Sequence, residues 1–80
     1  MLFFWRPKPK FKPGDLVAVD GNFVSTHNRY LSIQRRQWVR PKGEDRKQWV
    51  YSGPLYMISR GIVARASHSS EFLEKRLLMV

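Results

Sequence analysis

Phe11-Lys12-Pro13-Gly14-Asp15-Leu16-Val17-Ala18-Val19 decides how the rest of the chain is read. Pro13 presets one φ angle, Gly14 tolerates a positive one, and the Asp15 carboxylate can accept from nearby backbone amides. A tight turn therefore opens directly into Leu16–Val19, an apolar, β-branched run suited to a strand. Further turn signals stand at Asp20-Gly21, Gly43, Gly53-Pro54 and Gly61, with strand-length segments between them. That spacing predicts an all-β chain, an antiparallel barrel of five or six short strands with a short helical turn near the C-terminus.

Upstream of the turn, Arg6-Pro7-Lys8-Pro9-Lys10 alternates cations with prolines, which stiffen the chain and withhold amide donors. Residues 1–12 read as an extended basic arm and residues 13–80 as the folded domain. The apolar tip, residues 1–5, is too short for a membrane span or a signal-peptide core. The arm has two compatible readings. It is a solvated tail whose Phe3, Phe4 or Trp5 folds back on the barrel, or a cationic strip laid along a phosphate backbone.

Downstream, Asp20-Gly21-Asn22 makes a turn, Phe23-Val24 completes a short strand, and residues 25–29 form a polar loop. Residues 30–40 are the longest β-like segment. Leu31 and Ile33 alternate with polar neighbours, as a half-buried strand requires. Continued parity points Arg35 and Gln37 inward; switched parity points Trp38 inward. A β-bulge near Arg35-Arg36 would place Leu31, Ile33 and Trp38 on one face. With Gly43 at the first central position of a type II′ turn, counting outward pairs Arg40 with Lys47, Trp38 with Trp49, and Arg36 with Tyr51. The facing cations Arg40 and Lys47 repel, unless a polyanion binds there or the loop is looser.

Residues 48–52 make the next strand, Gly53-Pro54 turns the chain, and residues 55–59 follow. Arg60-Gly61 as a two-residue turn sets Ile58 opposite Val63 and Met57 opposite Ala64. Leu16, Ile33, Met57, Ile58 and Val63 are the expected core. Over residues 69–76 the signals are helical: Ser69 or Ser70 as cap, Glu71 and Glu74 early, Lys75 and Arg76 late. Leu77-Leu78-Met79-Val80 then returns as a closing strand.

In its order of parts the chain resembles the small SH3-like barrels, including translation-factor and ribosomal modules that open with a Gly-Asp-hydrophobic strand. The pieces that carry the likeness are Pro13-Gly14-Asp15-Leu16-Val17, Trp49-Val50-Tyr51 and Ser70-Glu71-Phe72-Leu73-Glu74, the last standing where such barrels place a single-turn element before the final strand. The resemblance implies the fold and carries over no binding residue. The second glycine-led strand of the ribosomal modules is missing, as is the cluster of acids and aromatics of proline-peptide-binding SH3 domains.

The chemistry follows from charge. The 80 residues carry a formal charge of +9 and no cysteine, which excludes disulfides and thiolate metal sites and fits a reducing, cytoplasmic setting. No metal or other cofactor is expected, because His27 and His68 have no ligand partners at suitable spacing. No paired carboxylates or positioned histidine argue for an enzyme. Cations cluster at Arg35, Arg36, Arg40, Lys42, Arg46 and Lys47 against only Glu44 and Asp45, with Trp38 and Trp49 interleaved. Each tryptophan is either a core residue or a platform for a base. Arginines for phosphate and aromatic faces for bases are the two ingredients of single-strand or RNA binding with weak sequence specificity. Arg6, Lys8 and Lys10 would extend the contact. The competing class is an adaptor docking on an acidic protein surface, using arginine and tryptophan as anchors.

Overall fold

The Pro13-Gly14 turn closes as its residues dictate. The computed structural model describes residues 6–19 and 27–79. In it the Asp15 amide donates to the Lys12 carbonyl at 3.0 Å, and the Lys12 amide donates to Asp15 Oδ2 at 3.0 Å. Gly14 has φ +98°, the left-handed second central position of a type II turn. The turn delivers β1 (Leu16–Val19), which lies between β2 (His27–Ser32) and β6 (Leu77–Met79), antiparallel to both. Val17 faces Leu31 on one side and Met79 on the other.

β3 (Arg35–Val39), β4 (Gln48–Ser59) and β5 (Ile62–Leu73) complete the sheet. β2 and β3 follow one another along one edge of β4, and β5 pairs with its other edge. From Leu31↔Leu55 to Arg35↔Ser52 the first strand advances one residue more than β4 does. This extra residue lies at Ile33-Gln34, just ahead of the expected Arg35-Arg36. It has the expected consequence: Leu31 and Ile33 are buried, and Trp38 packs against the same core. Here the backbones cross so closely that a Cβ on Gly53 would overlap the Ser32 carbonyl oxygen. Gly53 is therefore a strand crossing inside β4 and not a turn.

The architecture among the described residues is all-β, an antiparallel sheet of six strands with a lone 3-10 turn at Glu74–Arg76. The helix expected over residues 69–76 shrinks to that turn, because Ser69, Ser70 and Glu71 pair with Pro54, Gly53 and Ser52. Ladder hydrogen bonds and burial of Phe72 opposite Tyr51 outweigh weak local helix signals. The pairs Trp38↔Trp49, Arg36↔Tyr51, Met57↔Ala64 and Ile58↔Val63 form as counted. Arg60 and Gly61 both have positive φ, as a type I′ turn requires. In the other hairpin Gly43 takes the second central position, since the Glu44 amide donates to the Pro41 carbonyl and φ is +84°. The ladder stops at Val39↔Gln48, so Arg40 and Lys47 belong to a loop and are not a facing pair. Residues 27–29, expected in a loop, begin β2. The expected turn at Asp20-Gly21-Asn22, the strand at Phe23-Val24, the tip of residues 1–5 and Val80 lie outside the described residues.

The core is corrected most. Ile33 is buried as expected, whereas Leu16, Met57 and Val63 are exposed and Ile58 is half-buried. Val17, Leu31, Ile33 and Tyr51 are the most deeply buried side chains, surrounded by Phe11, Val19, Trp49, Leu55, Phe72 and Leu77. On β1 the inward parity belongs to Val17 and Val19, which leaves Leu16 outside. No described helix is long and apolar enough to cross a membrane.

Candidate nucleic-acid interface

Facing positions on adjacent strands put Trp38 and Trp49 side by side, with ring centroids 5.4 Å apart and planes tilted by 55°. Trp49 is buried, so its indole N–H needs an internal acceptor. It finds one in the arm, donating from Nε1 to the Pro7 carbonyl at 2.8 Å. The Arg6 guanidinium lies 5.2 Å from the centre of the same ring, within cation–π range. Two residues along β3, Arg36 donates from Nη1 to the Phe11 carbonyl at 2.9 Å.

The arm is held a second time at Tyr51. Phe11 meets that ring edge-on at 5.3 Å and donates its amide to Tyr51 Oη at 3.3 Å. Tyr51 Oη donates to Glu74 Oε2 at 2.6 Å, and the Lys10 amide donates to the same oxygen at 3.1 Å. Burial, reinforced by the hydrogen bond to Glu74, pushes the Tyr51 hydroxyl up to about 12, while the backbone contacts pull the other way. Tyr51 thus remains a neutral donor throughout the physiological range. The 3-10 turn that carries Glu74 is the outer clasp on the arm.

Between arm and hairpin lies a cleft of about 420 Å³, lined by Arg6, Pro7, Lys8, Pro9, Arg36, Trp38 and Trp49. Its described lining holds three cations and no acid. Of the residues singled out in the sequence, Arg6, Lys8, Arg36, Trp38 and Trp49 therefore come together. Arg35 does not join them, because strand alternation turns it to the opposite face with Gln37 and Val39. Arg40, Lys42, Arg46 and Lys47 are exposed on the loop of residues 40–47. Lys10 is exposed and outside the cleft lining, its amide committed to Glu74.

A second cleft, on the far face of the hairpin, includes Gln37, Val39, Lys42, Glu44, Val50 and Glu71 in its lining. Two carboxylates against one lysine make it a poor seat for a polyanion. Glu44 is further engaged with Lys75, Nζ to Oε1 at 3.6 Å. Among the described residues no group of His, Cys, Asp and Glu could hold a metal ion.

Pro7, Pro9, Phe11 and Glu74 also build this site, although no motif marks them. One signal was available: a tryptophan on a buried strand needs an acceptor, and a proline-rich arm offers carbonyls without competing amides. No protein-family model matches the chain, and no curated protein or solved structure is significantly similar to it.

Proposed function

We propose that this chain is a small SH3-like barrel that binds single-stranded nucleic acid or RNA with weak sequence preference, in the cytoplasm and without catalysis. The order of elements supports the barrel: β1 sits between β2 and β6, β2–β3 bends over Gly53, and β5 reaches β6 through a single 3-10 turn. The absence of cysteine supports the reducing setting.

One observation carries the binding proposal: a cleft whose described lining brings Arg6, Lys8 and Arg36 together with Trp38 and holds no acid. Three cations supply the phosphate contacts, and counterion release provides affinity that falls steeply with salt. Trp49 is a buried wall with its N–H already used, so Trp38, half-buried at the cleft, is the ring that meets a base. Arginine's fork suits phosphate and leaves donors to spare after the Phe11 contact. The loop cations Arg40, Lys42, Arg46 and Lys47, with Lys10 and Arg35, add long-range attraction more than contact.

A labelled single strand and a duplex titrated at two salt concentrations test this reading. The single strand is expected to bind more tightly, with affinity falling as salt rises. Lys8→Gln with Arg36→Gln should weaken binding for every sequence and flatten the salt dependence. Arg60→Gln with Arg65→Gln, remote from the cleft, should change it little. Equal effects of the two pairs, or no binding at low salt, would remove the cleft from consideration.

A further inference from the structure

The outer half of the β4–β5 hairpin is built unlike the rest of the sheet. There residues 56–59 pair with residues 62–65, and β2 lies along the other edge of β4. Ile62 is 70% exposed, Val63 62% and Met57 43%. Strand alternation puts Met57, Ala64 and Ile62 on one face, and Tyr56, Ile58, Val63 and Arg65 on the other. Apolar side chains therefore show on both faces of this finger, and none of those named belongs to the buried core.

The backbone is open as well. Among the described residues β5 pairs only with β4, so its outer edge has unpaired amides and carbonyls from residue 62 onward. Edge strands are ordinarily guarded by charged side chains, proline or bulges, which here begin only at Arg65 and the irregularity beyond it. Ile62-Val63-Ala64 has none of these. A register shift, where residues 66–68 stand against Leu55 alone and so add two extra residues, marks off residues 62–65 as a separate regular run. Residues 53–70 contain Arg60 and Arg65 and no carboxylate, so the charge at the finger has one sign.

We propose that this finger is a docking edge for an extended, acidic, apolar-alternating segment of another protein, which adds as a strand beside β5. The backbone edge supplies the hydrogen bonds, Ile62, Ala64 and Met57 take the apolar side chains on one face, and Arg65 on the other face, with Arg60 at the turn, selects acidic ones. A second copy of this chain fits less well. Each copy carries +9, and its six acids are scattered, giving Arg60 and Arg65 no acidic strand to meet. Nucleic acid fits less well too: the exposed large side chains Ile62, Val63 and Met57 are aliphatic and offer nothing to phosphate or base, and the ring on this finger, Tyr56, is half-buried. The surface shares no residue with the arm cleft.

The probe is a fluorescein-labelled peptide alternating glutamate and valine, titrated into the full chain by anisotropy at low salt, with amide hydrogen exchange read on the complex. Its controls are a lysine–valine peptide and a glutamate peptide of equal charge with prolines in place of alternate valines. The glutamate–valine peptide is expected to bind at least about tenfold more tightly than either control and to slow exchange on residues 62–65. Ile62→Glu with Arg65→Glu should abolish that preference while leaving the thermal midpoint unchanged, since both side chains are exposed. Equal binding of the proline peptide would overturn the proposal by showing charge attraction without strand addition. So would loss of binding on Arg36→Gln alone, protection of residues 62–65 by an oligonucleotide instead, or sedimentation showing that the finger pairs two copies.

Discussion

β4 and β5 form one hairpin with two unlike halves. In the inner half Trp49, Tyr51, Leu55 and Phe72 are buried, because the arm, β1 and β6 complete the layer that encloses them. In the outer half Met57, Ile62 and Val63 have the same apolar character and stand in solvent. The composition of a strand does not decide burial; the presence of a second layer over it does. Apolar residues in the inner half stabilise the fold, and those in the outer half are available to a partner.

The largest expected effect separates the two halves directly. Leu31→Ala should cost roughly 2–5 kcal/mol by leaving a cavity in the core, whereas Ile62→Ala should stay within about 0.5 kcal/mol. Chemical denaturation of both variants measures this. A comparable loss at Ile62 would mean that the outer half is packed and would end the distinction.

Alkaline pH tests the inner half next. Tyr51 is neutral in the folded chain up to about 12, against 10.0 for an ordinary tyrosine. Between those values the folded state holds a proton that the unfolded chain has lost, so stability is complete below pH 10 and falls as pH rises toward 12. At about 1.4 kcal/mol per unit the loss is roughly 2–3 kcal/mol. Tyr51→Phe should remove this decline, and its persistence in that variant would assign it to another group.

Gly53 marks the boundary between the halves. Gly53→Ala should cost about 1–3 kcal/mol, because the added methyl meets the Ser32 carbonyl and both strands must separate. Gly61→Ala at the fingertip meets open space and loses only the ease of positive φ, about 1 kcal/mol. Equal losses would show that the strand crossing is not tight.

The smallest effect concerns the arm. Trp49→Phe keeps an aromatic body but removes the donor to Pro7, at a cost of about 1 kcal/mol. Limited proteolysis should then cut near residues 6–9 faster, with the finger's susceptibility unchanged.

Local chemistry made part of this legible in advance. Pro13-Gly14 and Arg60-Gly61 set their own turns, and the latter also set the register Ile58↔Val63, because φ preferences act within two residues. The alternation of Leu31 and Ile33 identified an inward face. The basic arm and the register of Trp38 opposite Trp49 likewise follow from the sequence alone. The helical signals of residues 69–76 failed because a few tenths of a kcal/mol per residue cannot compete with a ladder beside β4. Glu74, a helix-end charge by those local signals, instead fastens Tyr51 and the arm. Which cations share a cleft depended on the extra residue at Ile33-Gln34, which puts Arg36 with Trp38 and turns Arg35 away. By itself the sequence determined the turns, the strand character and the sign of the charge, all properties of a residue and its near neighbours. Only the tertiary structure decided that Tyr51 is core and Val63 is surface, because burial depends on which distant segment of the chain lies across the strand.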